Sequence, residues 1–300
     1  MTALPLPDDT RERALGVSLL VTAMFIAPGL DVIAKLLLDR LTPMQVAAGR
    51  FIIQTMVLAP ILLWQVRARR PALGYAVAGV CLGTALVCLN HALAVMPVAN
   101  AIAIFFVEPL ILTAMGALFL GERIGWRRVS AIVVGLLGAL VVLRPNVAAY
   151  GTAALFPLGT AFFFALYMLV TRAMSRGGSG AGLQFWSGAF AALTLSIGVA
   201  VQSAFWGAPE VGIGGLTGRE WALFAALGML AALSHRLIVL ALARIEAGIA
   251  APFQYFEIVS AVILGWLVFG DFPDAMTWVG TAIIVGAGLY VFERTRRAAD

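Results

Sequence analysis

Ten apolar runs, each close to the length of a membrane-spanning helix, dominate the sequence, separated by Pro, Gly and charged residues. They predict helices at residues 14–37, 43–65, 72–95, 98–121, 126–144, 151–172, 181–205, 219–243, 247–269 and 275–294. A span needs about 20 apolar residues, so ten spans take about two thirds of the chain. The pattern therefore predicts an all-α polytopic membrane protein with ten transmembrane helices and no separate soluble domain.

Composition agrees with a lipid environment. Hydrophobic residues make up 62% of the 300 residues and charged residues 12%, against roughly 45–50% and 25% in soluble domains. A soluble globule of this length could not bury so much apolar surface. The excess of basic over acidic residues is accordingly interpreted as a sign of membrane orientation, with no nucleic acid partner.

Basic residues are distributed unevenly between the two predicted sides. Most of the 20 Lys and Arg residues fall in segments on the side of the N-terminus. The segments on the other side hold only Lys35, Arg40, Arg144 and Arg219. Because positive charge favours the cytoplasmic side, we expect a bacterial inner (plasma) membrane protein with both termini in the cytoplasm.

The second half of the chain repeats features of the first. Aligning the second half with the first pairs Glu108 with Glu257, Gly116 with Gly265, and Gly121-Glu122 with Gly270-Asp271. A separate aligned block pairs Lys35 with Arg172. Each half then holds five spans, and because five is odd the second copy enters the membrane in the opposite sense. We predict two inverted five-helix repeats, residues 1–147 and 148–300, around a central cavity, as in many secondary transporters.

Several stretches carry a resemblance to a known family. They are Asp31-x3-Lys35 with Pro43-x-Gln45 and Arg50, Gly121-Glu122-Arg123, Ala165-Leu166-Tyr167, and Pro252 to Gly270-Asp271. With these the chain resembles the EamA family, the ten-helix branch of the drug/metabolite transporter superfamily, over essentially its whole length. The resemblance implies a secondary carrier, often an exporter, for amino acids or other small metabolites, working without ATP or a cofactor. Ala27-Pro28-Gly29 stands where relatives often have Trp-Gly, which places the chain in a subgroup.

Charged residues at membrane depth are costly unless they face a partner or a wet cavity. Glu108 and Glu257 lie midway along the fourth and ninth predicted spans. Each could bind an ammonium group, carry a coupling proton, or hydrogen-bond a neighbouring helix. Asp31 and Lys35 are one helical turn apart and could pair, although Lys35 could equally extend to the interface. Arg50 could clamp a substrate carboxylate or neutralise an acid.

Two histidines and a second arginine also fall within or near the predicted spans. His91 ends the third span, and His235 and Arg236 lie near the middle of the eighth. A histidine can relay protons near neutral pH or simply hydrogen-bond another helix. Arg236 needs a partner at that depth, and Glu257 or Glu108 is expected to provide it.

Aromatic residues on predicted inward stretches could stack against a planar substrate, although packing alone would explain them as well. The predicted substrate-binding set comprises Asp31, Arg50, His91, Phe105, Glu108, Tyr167, Trp186, His235, Arg236, Gln254, Tyr255 and Glu257.

Missing motifs narrow the chemistry. Lys35, the only lysine, follows Ala34, so the sequence has no phosphate-binding loop for ATP. It also has no His-Glu-x-x-His motif, and neither a metal site nor a cofactor is predicted.

The leading interpretation is a secondary transporter for amino acids, particularly hydrophobic or aromatic ones, with possible proton coupling, acting as a monomer or weak dimer. One alternative is a carrier of a planar heteroaromatic vitamin such as riboflavin. From another class, the chain could be a non-transporting membrane partner or an intramembrane enzyme.

Overall fold

A computed structural model describes residues 10–66, 73–120, 126–175, 180–205, 207, 209, 211–245 and 253–296. These residues form helices and no strand. The α-helices are α1 (Thr10–Leu38), α2 (Pro43–Val66), α3 (Leu73–Leu93), α4 (Val98–Phe105), α5 (Glu108–Leu120), α6 (Trp126–Tyr150), α7 (Phe156–Ser175), α8 (Gly180–Phe205), α9 (Gly218–Leu242), α10 (Phe256–Phe269) and α11 (Ala275–Arg296). Short 3-10 helices occupy Gly151–Leu155 and Ile213–Gly215.

The fourth predicted span is two helices instead of one. α4 ends at Phe105 and α5 begins at Glu108, with a two-residue turn between them. Pro109 causes this break, because it has no N–H to offer the carbonyl of Phe105 and its ring crowds that carbonyl. The N–H of Val107 bonds instead to the carbonyl of Ile104 at 3.2 Å, the spacing of a tighter helical turn. Glu108 therefore lies in the first turn of a new helix.

The ninth predicted span has a similar turn. Phe253 and Gln254 are helical, Tyr255 lies in a turn, and α10 follows with Glu257 in its first turn. Residues 246–252, where the predicted span begins, lie outside the described residues. Both glutamates thus lie at helix N-termini, where the backbone dipole favours negative charge.

α1 continues without a break through Pro28-Gly29. Proline at this position removes one backbone hydrogen bond from the helix. The carbonyl of Phe25, in the preceding turn, accepts a hydrogen bond from the Ser260 hydroxyl at 2.8 Å. This bond ties the proline-containing part of α1 to α10.

Helices from the two halves of the chain interleave. α1 packs on α9 and α10, α2 on α8 and α9, α3 on α7 and α8, α4 on α10, α5 on α7, and α6 on α11. Some of these pairs approach closely through glycine. A Cβ added to Gly79 would lie 2.6 Å from the carbonyl oxygen of Ser187, and one added to Gly280 would lie 2.7 Å from that of Gly138. Small residues commonly permit such contacts between membrane helices.

The outer surface is apolar enough for a bilayer. Within the described residues, six stretches are long and apolar enough to cross a membrane: Glu12–Leu38, Leu73–Leu93, Val98–Phe119, Asn146–Thr171, Gln184–Phe205 and Gly218–Leu242. Large side chains such as Leu118, Phe205 and Trp266 are exposed. A soluble monomer rarely exposes so much contiguous apolar surface, so the described helices are those of a multi-pass membrane protein.

Candidate substrate site

Three charged side chains from three helices interact in the interior. Asp31 on α1 is only 6% exposed, and Arg50 on α2 and Glu257 on α10 are partly buried. Arg50 attracts both acids electrostatically, and the two acids repel each other. In the described part of the chain none of the three forms a direct ion pair with another, and the Arg50 Nε is buried without a hydrogen-bond partner. This cluster of Asp31, Arg50 and Glu257, the charged cluster, therefore keeps polar atoms available for a ligand.

Glu108 lies beside the turn that precedes α10. Its side chain is 9% exposed, and its Oε1 has no hydrogen-bond partner among the described residues. Tyr255 interacts with Glu108 electrostatically and packs its ring on Phe106, with ring centroids 5.3 Å apart. The turns that interrupt the fourth and ninth spans therefore meet each other in the interior.

Five aromatic rings form a continuous row from α7 through α4 to the turn before α10. Tyr167 contacts Phe164 at 5.6 Å, Phe164 contacts Phe105 at 5.6 Å, Phe105 contacts Phe106 at 5.9 Å, and Phe106 contacts Tyr255. This aromatic row approaches from α4 and α7, whereas the charged cluster comes from α1, α2 and α10. Tyr255, the last ring of the row, precedes Glu257 of the charged cluster by two residues along the chain.

Trp186 on α8 adds a second aromatic group near α7. Its ring lies 5.3 Å from that of Phe185 and 6.4 Å from that of Phe190. Its Nε1 is buried without a hydrogen-bond partner among the described residues. The adjacent Ser187 hydrogen-bonds the Tyr167 side chain, which fixes α8 against one end of the aromatic row.

The two histidines are not brought to the charged cluster. The His91 Nδ1 lies 2.8 Å from the carbonyl oxygen of Val87, and its ring stacks on Phe156 at 4.8 Å. This nitrogen must carry a proton to donate to a carbonyl, so His91 is held at the end of α3. His235 is partly buried on α9, with no hydrogen bond in the described part of the chain, and Gln254 is exposed.

Arg236 lies on the outer face of α9. It shares this exposed face with Met229 and Leu233 at helical spacing. Other faces of α9 make the interhelical contacts, since Leu230 meets α1 and Gly228 meets α2. Arg236 forms no ion pair among the described residues, and the structure does not bring it to either interior glutamate. The helix face it occupies is opposite to the packed interior.

Lys35 pairs with a residue that the sequence did not indicate. Its Nζ lies 3.1 Å from the Asp271 Oδ2, rather than beside Asp31. Phe106 and Phe164 were also missed as members of the aromatic row. The run Phe162-Phe163-Phe164 was a usable signal for an aromatic wall, but the pairing of Lys35 with Asp271 depends on packing between distant segments.

The described residues contain no group of three or more His, Cys, Asp or Glu side chains that could hold a metal ion. Buried polar atoms without a hydrogen-bond partner among the described residues include the Glu108 Oε1, the Arg50 Nε and the Trp186 Nε1. Such groups bind organic ions and planar molecules directly.

Membrane-length helices, interruptions next to buried acids, and an interior with charged and aromatic surfaces define the class of polytopic small-molecule transporters. The chain belongs to the EamA-like transporter family, which matches residues 14–144 and again residues 151–292. It is accordingly a membrane transporter of this family and not an enzyme.

Relatives of this chain carry different cargo names. It is 27% identical to the S-adenosylmethionine uptake transporter of Rickettsia felis over 97% of both chains. It is 31% identical to the riboflavin transporter of Rhizobium johnstonii over 68% of this chain and 65% of that one. It is 30% identical to the pseudopaline exporter of Pseudomonas aeruginosa over 71% and 72% of the two chains.

The fold also matches a solved structure. A crystal structure of a protein with 19% sequence identity superposes with a TM-score of 0.62, covering 98% of this chain and 100% of the other. At this identity the similarity concerns the fold alone.

Proposed function

We propose that this protein is a secondary transporter for a small metabolite that combines an amino-acid group with an apolar or aromatic part. The observations that support it are the charged cluster of Asp31, Arg50 and Glu257 and the aromatic row that ends at Tyr255, which we take to line one cavity. Arg50 can receive a substrate carboxylate, and the acids can receive an ammonium group. The rings offer a flat surface to the rest of the molecule.

The architecture we propose is ten spans arranged as two inverted halves, residues 1–147 and 148–300. The interleaved helix contacts support it. In such an arrangement the helices of the first half, α1, α2, α3, α4–α5 and α6, correspond in order to α7, α8, α9, α10 and α11. The contact of α1 with α9 then has its counterpart in the contact of α7 with α3. The contact of α2 with α9 likewise has its counterpart in that of α8 with α3. The two successive matches to one family support the same division.

Alternating access follows from this symmetry. Exchanging the conformations of two similar halves would expose a central site first on one side and then on the other. The uneven distribution of Lys and Arg supports a bacterial inner membrane location with both termini cytoplasmic. The site lies within one chain, so a monomer can complete it, and a weak dimer would add no residue to it.

S-adenosylmethionine is the first substrate to test. It carries an α-amino acid end, a positive sulfonium and a planar adenine, and therefore offers a partner to both surfaces of the site. Two carboxylates against one arginine favour a substrate with net positive charge. The Rickettsia relatives named for this molecule match almost the full chain. Aromatic and hydrophobic amino acids offer the same amino-acid end with a smaller apolar part.

Riboflavin is the second candidate because the aromatic row by itself fits a flat, uncharged ring system. The relatives named as riboflavin transporters support it. A riboflavin carrier would depend on the aromatic residues and little on Arg50. The two candidates therefore differ in which substitutions abolish binding.

Glu108 and Glu257 are the residues we propose for proton coupling. Both are carboxylates at helix starts in the interior, and the Glu108 Oε1 is unpartnered among the described residues. A carboxylate there can bind a proton in exchange for a cationic substrate group. Flux driven by an imposed pH gradient, and lost in the Glu257→Gln variant, is the expected outcome.

Ligand-induced thermal stabilisation of purified protein tests the substrate class. We expect S-adenosylmethionine or an aromatic amino acid to raise Tm, because a ligand of the folded state stabilises it. Arg50→Gln should weaken binding at least about tenfold, since a hydrogen bond to a charged group contributes about 1.5–3 kcal/mol.

Arg236→Gln is the matched control, because it removes the same charge from the outer face of α9. It should leave the Tm shift unchanged. Equal loss of binding in both variants, or a shift produced by riboflavin alone, would contradict the amino-acid assignment.

A further inference from the structure

The Lys35 ammonium group connects three elements near the end of α1. It donates a hydrogen bond to the carbonyl of Met96, in the turn after α3, at 2.9 Å. It pairs with Asp271, directly after α10, at 3.1 Å. It also lies 4.7 Å from the centre of the Phe269 ring. Lys35, in the first half of the chain, thus contacts Phe269 and Asp271 in the second half and Met96 in the first.

This ion pair is partly withdrawn from water. The Lys35 side chain is 18% exposed and the Asp271 side chain 31%. Fully exposed pairs contribute little to stability, whereas breaking a partly buried pair leaves charges poorly solvated. The contact between Lys35 and Asp271 therefore favours one arrangement of α1 and the end of α10.

The backbone holds Asp271 in place for this contact. α10 ends at Phe269 and is capped by Gly270, which has a φ of 74°, a conformation that other residues adopt at a cost. The N–H of Gly270 donates to the carbonyl of Trp266 at 2.9 Å. The sequence equivalents of the ion pair in the other half, Arg172 for Lys35 and Glu122 for Asp271, carry the same charges.

The ion pair lies one helical turn from the charged cluster. Asp31 precedes Lys35 by four residues on α1, about 6 Å along the helix axis. An acid and a base at this spacing can pair on one helix face. A Lys35 released from Asp271 would consequently have a second acidic partner within reach.

We propose that the pair of Lys35 and Asp271 is a latch that closes the transport path at this end of the molecule and opens once in each transport cycle. On release, Lys35 pairs with Asp31, which lowers the cost of opening and links the latch to the charged cluster. This inference rests on the proposed transport function, because a latch of this kind matters only if α10 moves relative to α1.

Reversible cross-linking tests the latch. Lys35→Cys and Asp271→Cys would be combined with Cys81→Ala and Cys88→Ala, and joined by a short, cleavable bifunctional thiol reagent in proteoliposomes. We expect cross-linking to stop the flux and cleavage of the linker to restore it. Cross-linked protein that transports at the rate of cleaved protein would overturn the proposal.

A second ion pair provides the control. This control pair is Arg40 and Glu220, which join the end of α1 to the start of α9 at 2.7 Å. At the opposite ends of the same two helices, Glu12 pairs with Arg244 at 3.1 Å. α1 and α9 should therefore move together, and cross-linked Arg40→Cys/Glu220→Cys should retain flux. Equal loss of flux after cross-linking either pair would overturn a latch located at Lys35.

Charge reversal avoids the thiol reagent. Lys35→Asp or Asp271→Lys alone should reduce flux at least about tenfold, because each creates a like-charge contact. The double reversal should restore the contact of the closed state and recover part of the flux, because the carboxylate introduced at position 35 would repel Asp31 on release. A double variant as inactive as either single one, although folded and binding substrate, would contradict the latch. Absence of flux in the unmodified protein would instead contradict the proposed transport function.

Discussion

At the residue scale, Tyr255 is the point where several parts of the site meet. Its ring packs on Phe106, it interacts with Glu108, and its hydroxyl lies against Gly288 of α11. The absence of a Cβ at Gly288 leaves the space that this hydroxyl needs. The position of this last ring of the aromatic row therefore depends on a glycine in another helix.

Substituting Gly288→Ala should displace Tyr255, because the new methyl group would overlap its hydroxyl. We expect a loss of about 1–3 kcal/mol in stability, typical of overpacking, together with weaker substrate binding. Thermal unfolding of the purified variant measures the first effect.

The double variant Gly288→Ala/Tyr255→Phe removes the overlapping oxygen, and the Tyr255 Cζ would then lie 3.4 Å from the new Cβ. It should regain much of the lost stability. If it is no more stable than the single variant, the contact does not determine the position of Tyr255.

Sequence reasoning reached the site residues unevenly. Asp31, Arg50, Glu108 and Glu257 were selected because a charge inside an apolar run is conspicuous, and their place in a substrate site stays a prediction. Arg236 gave the same signal, yet it lies on the exposed face. Apolar periodicity cannot separate the two situations in a membrane protein, since both the lipid-facing and the packed faces are apolar.

At the element scale, the interrupted fourth span is the main difference from the sequence-based expectation. Its ends were predicted at residues 98 and 121, and the described helices begin at Val98 and end at Leu120. The interruption was missed although Pro109 signals it, because the apolar run continues across the turn. Placing Glu108 at a helix start changes its environment from a helix interior to a helix N-terminus.

Replacing Pro109 with alanine should extend α4 into α5, because the restored N–H can bond to the carbonyl of Phe105. We expect a higher Tm and a lower transport rate, since the turn beside Glu108 would be lost. Thermal unfolding and flux measured on the same preparation check both effects. An unchanged Tm with full transport would show that Pro109 does not maintain the turn.

The pairing of α6 with α11 depends on close backbone contact. A Cβ on Gly280 would lie 2.7 Å from the carbonyl oxygen of Gly138 and 2.9 Å from the backbone nitrogen of Val142. Because backbone atoms cannot move aside, Gly280→Ala should lower stability by at least about 1 kcal/mol.

Gly286 on the same helix is the control, since nothing lies within 4 Å of an added Cβ. Gly286→Ala should leave Tm unchanged or raise it, because alanine favours helix by about 1 kcal/mol over glycine. A Tm that falls equally in both alanine variants would mean that close packing is not what Gly280 provides.

At the scale of the whole molecule, length and apolar pattern predicted a helical polytopic protein, and the described helices agree with it. The division into two repeats near residue 147 stays a prediction, and the family model matches residues 14–144 and 151–292. Contacts between distant segments, such as Lys35 with Asp271 and Phe106 with Tyr255, could not be predicted. They depend on how the halves interleave, which local periodicity does not encode.

Flux of labelled S-adenosylmethionine and of aromatic amino acids into proteoliposomes, without ATP, tests the central claim most directly. We predict accumulation above empty liposomes that is driven by a gradient of unlabelled substrate or protons, lost in the Arg50→Gln variant and retained in Arg236→Gln. No flux of either substrate class, or equal flux in both variants, would contradict transport through the charged cluster.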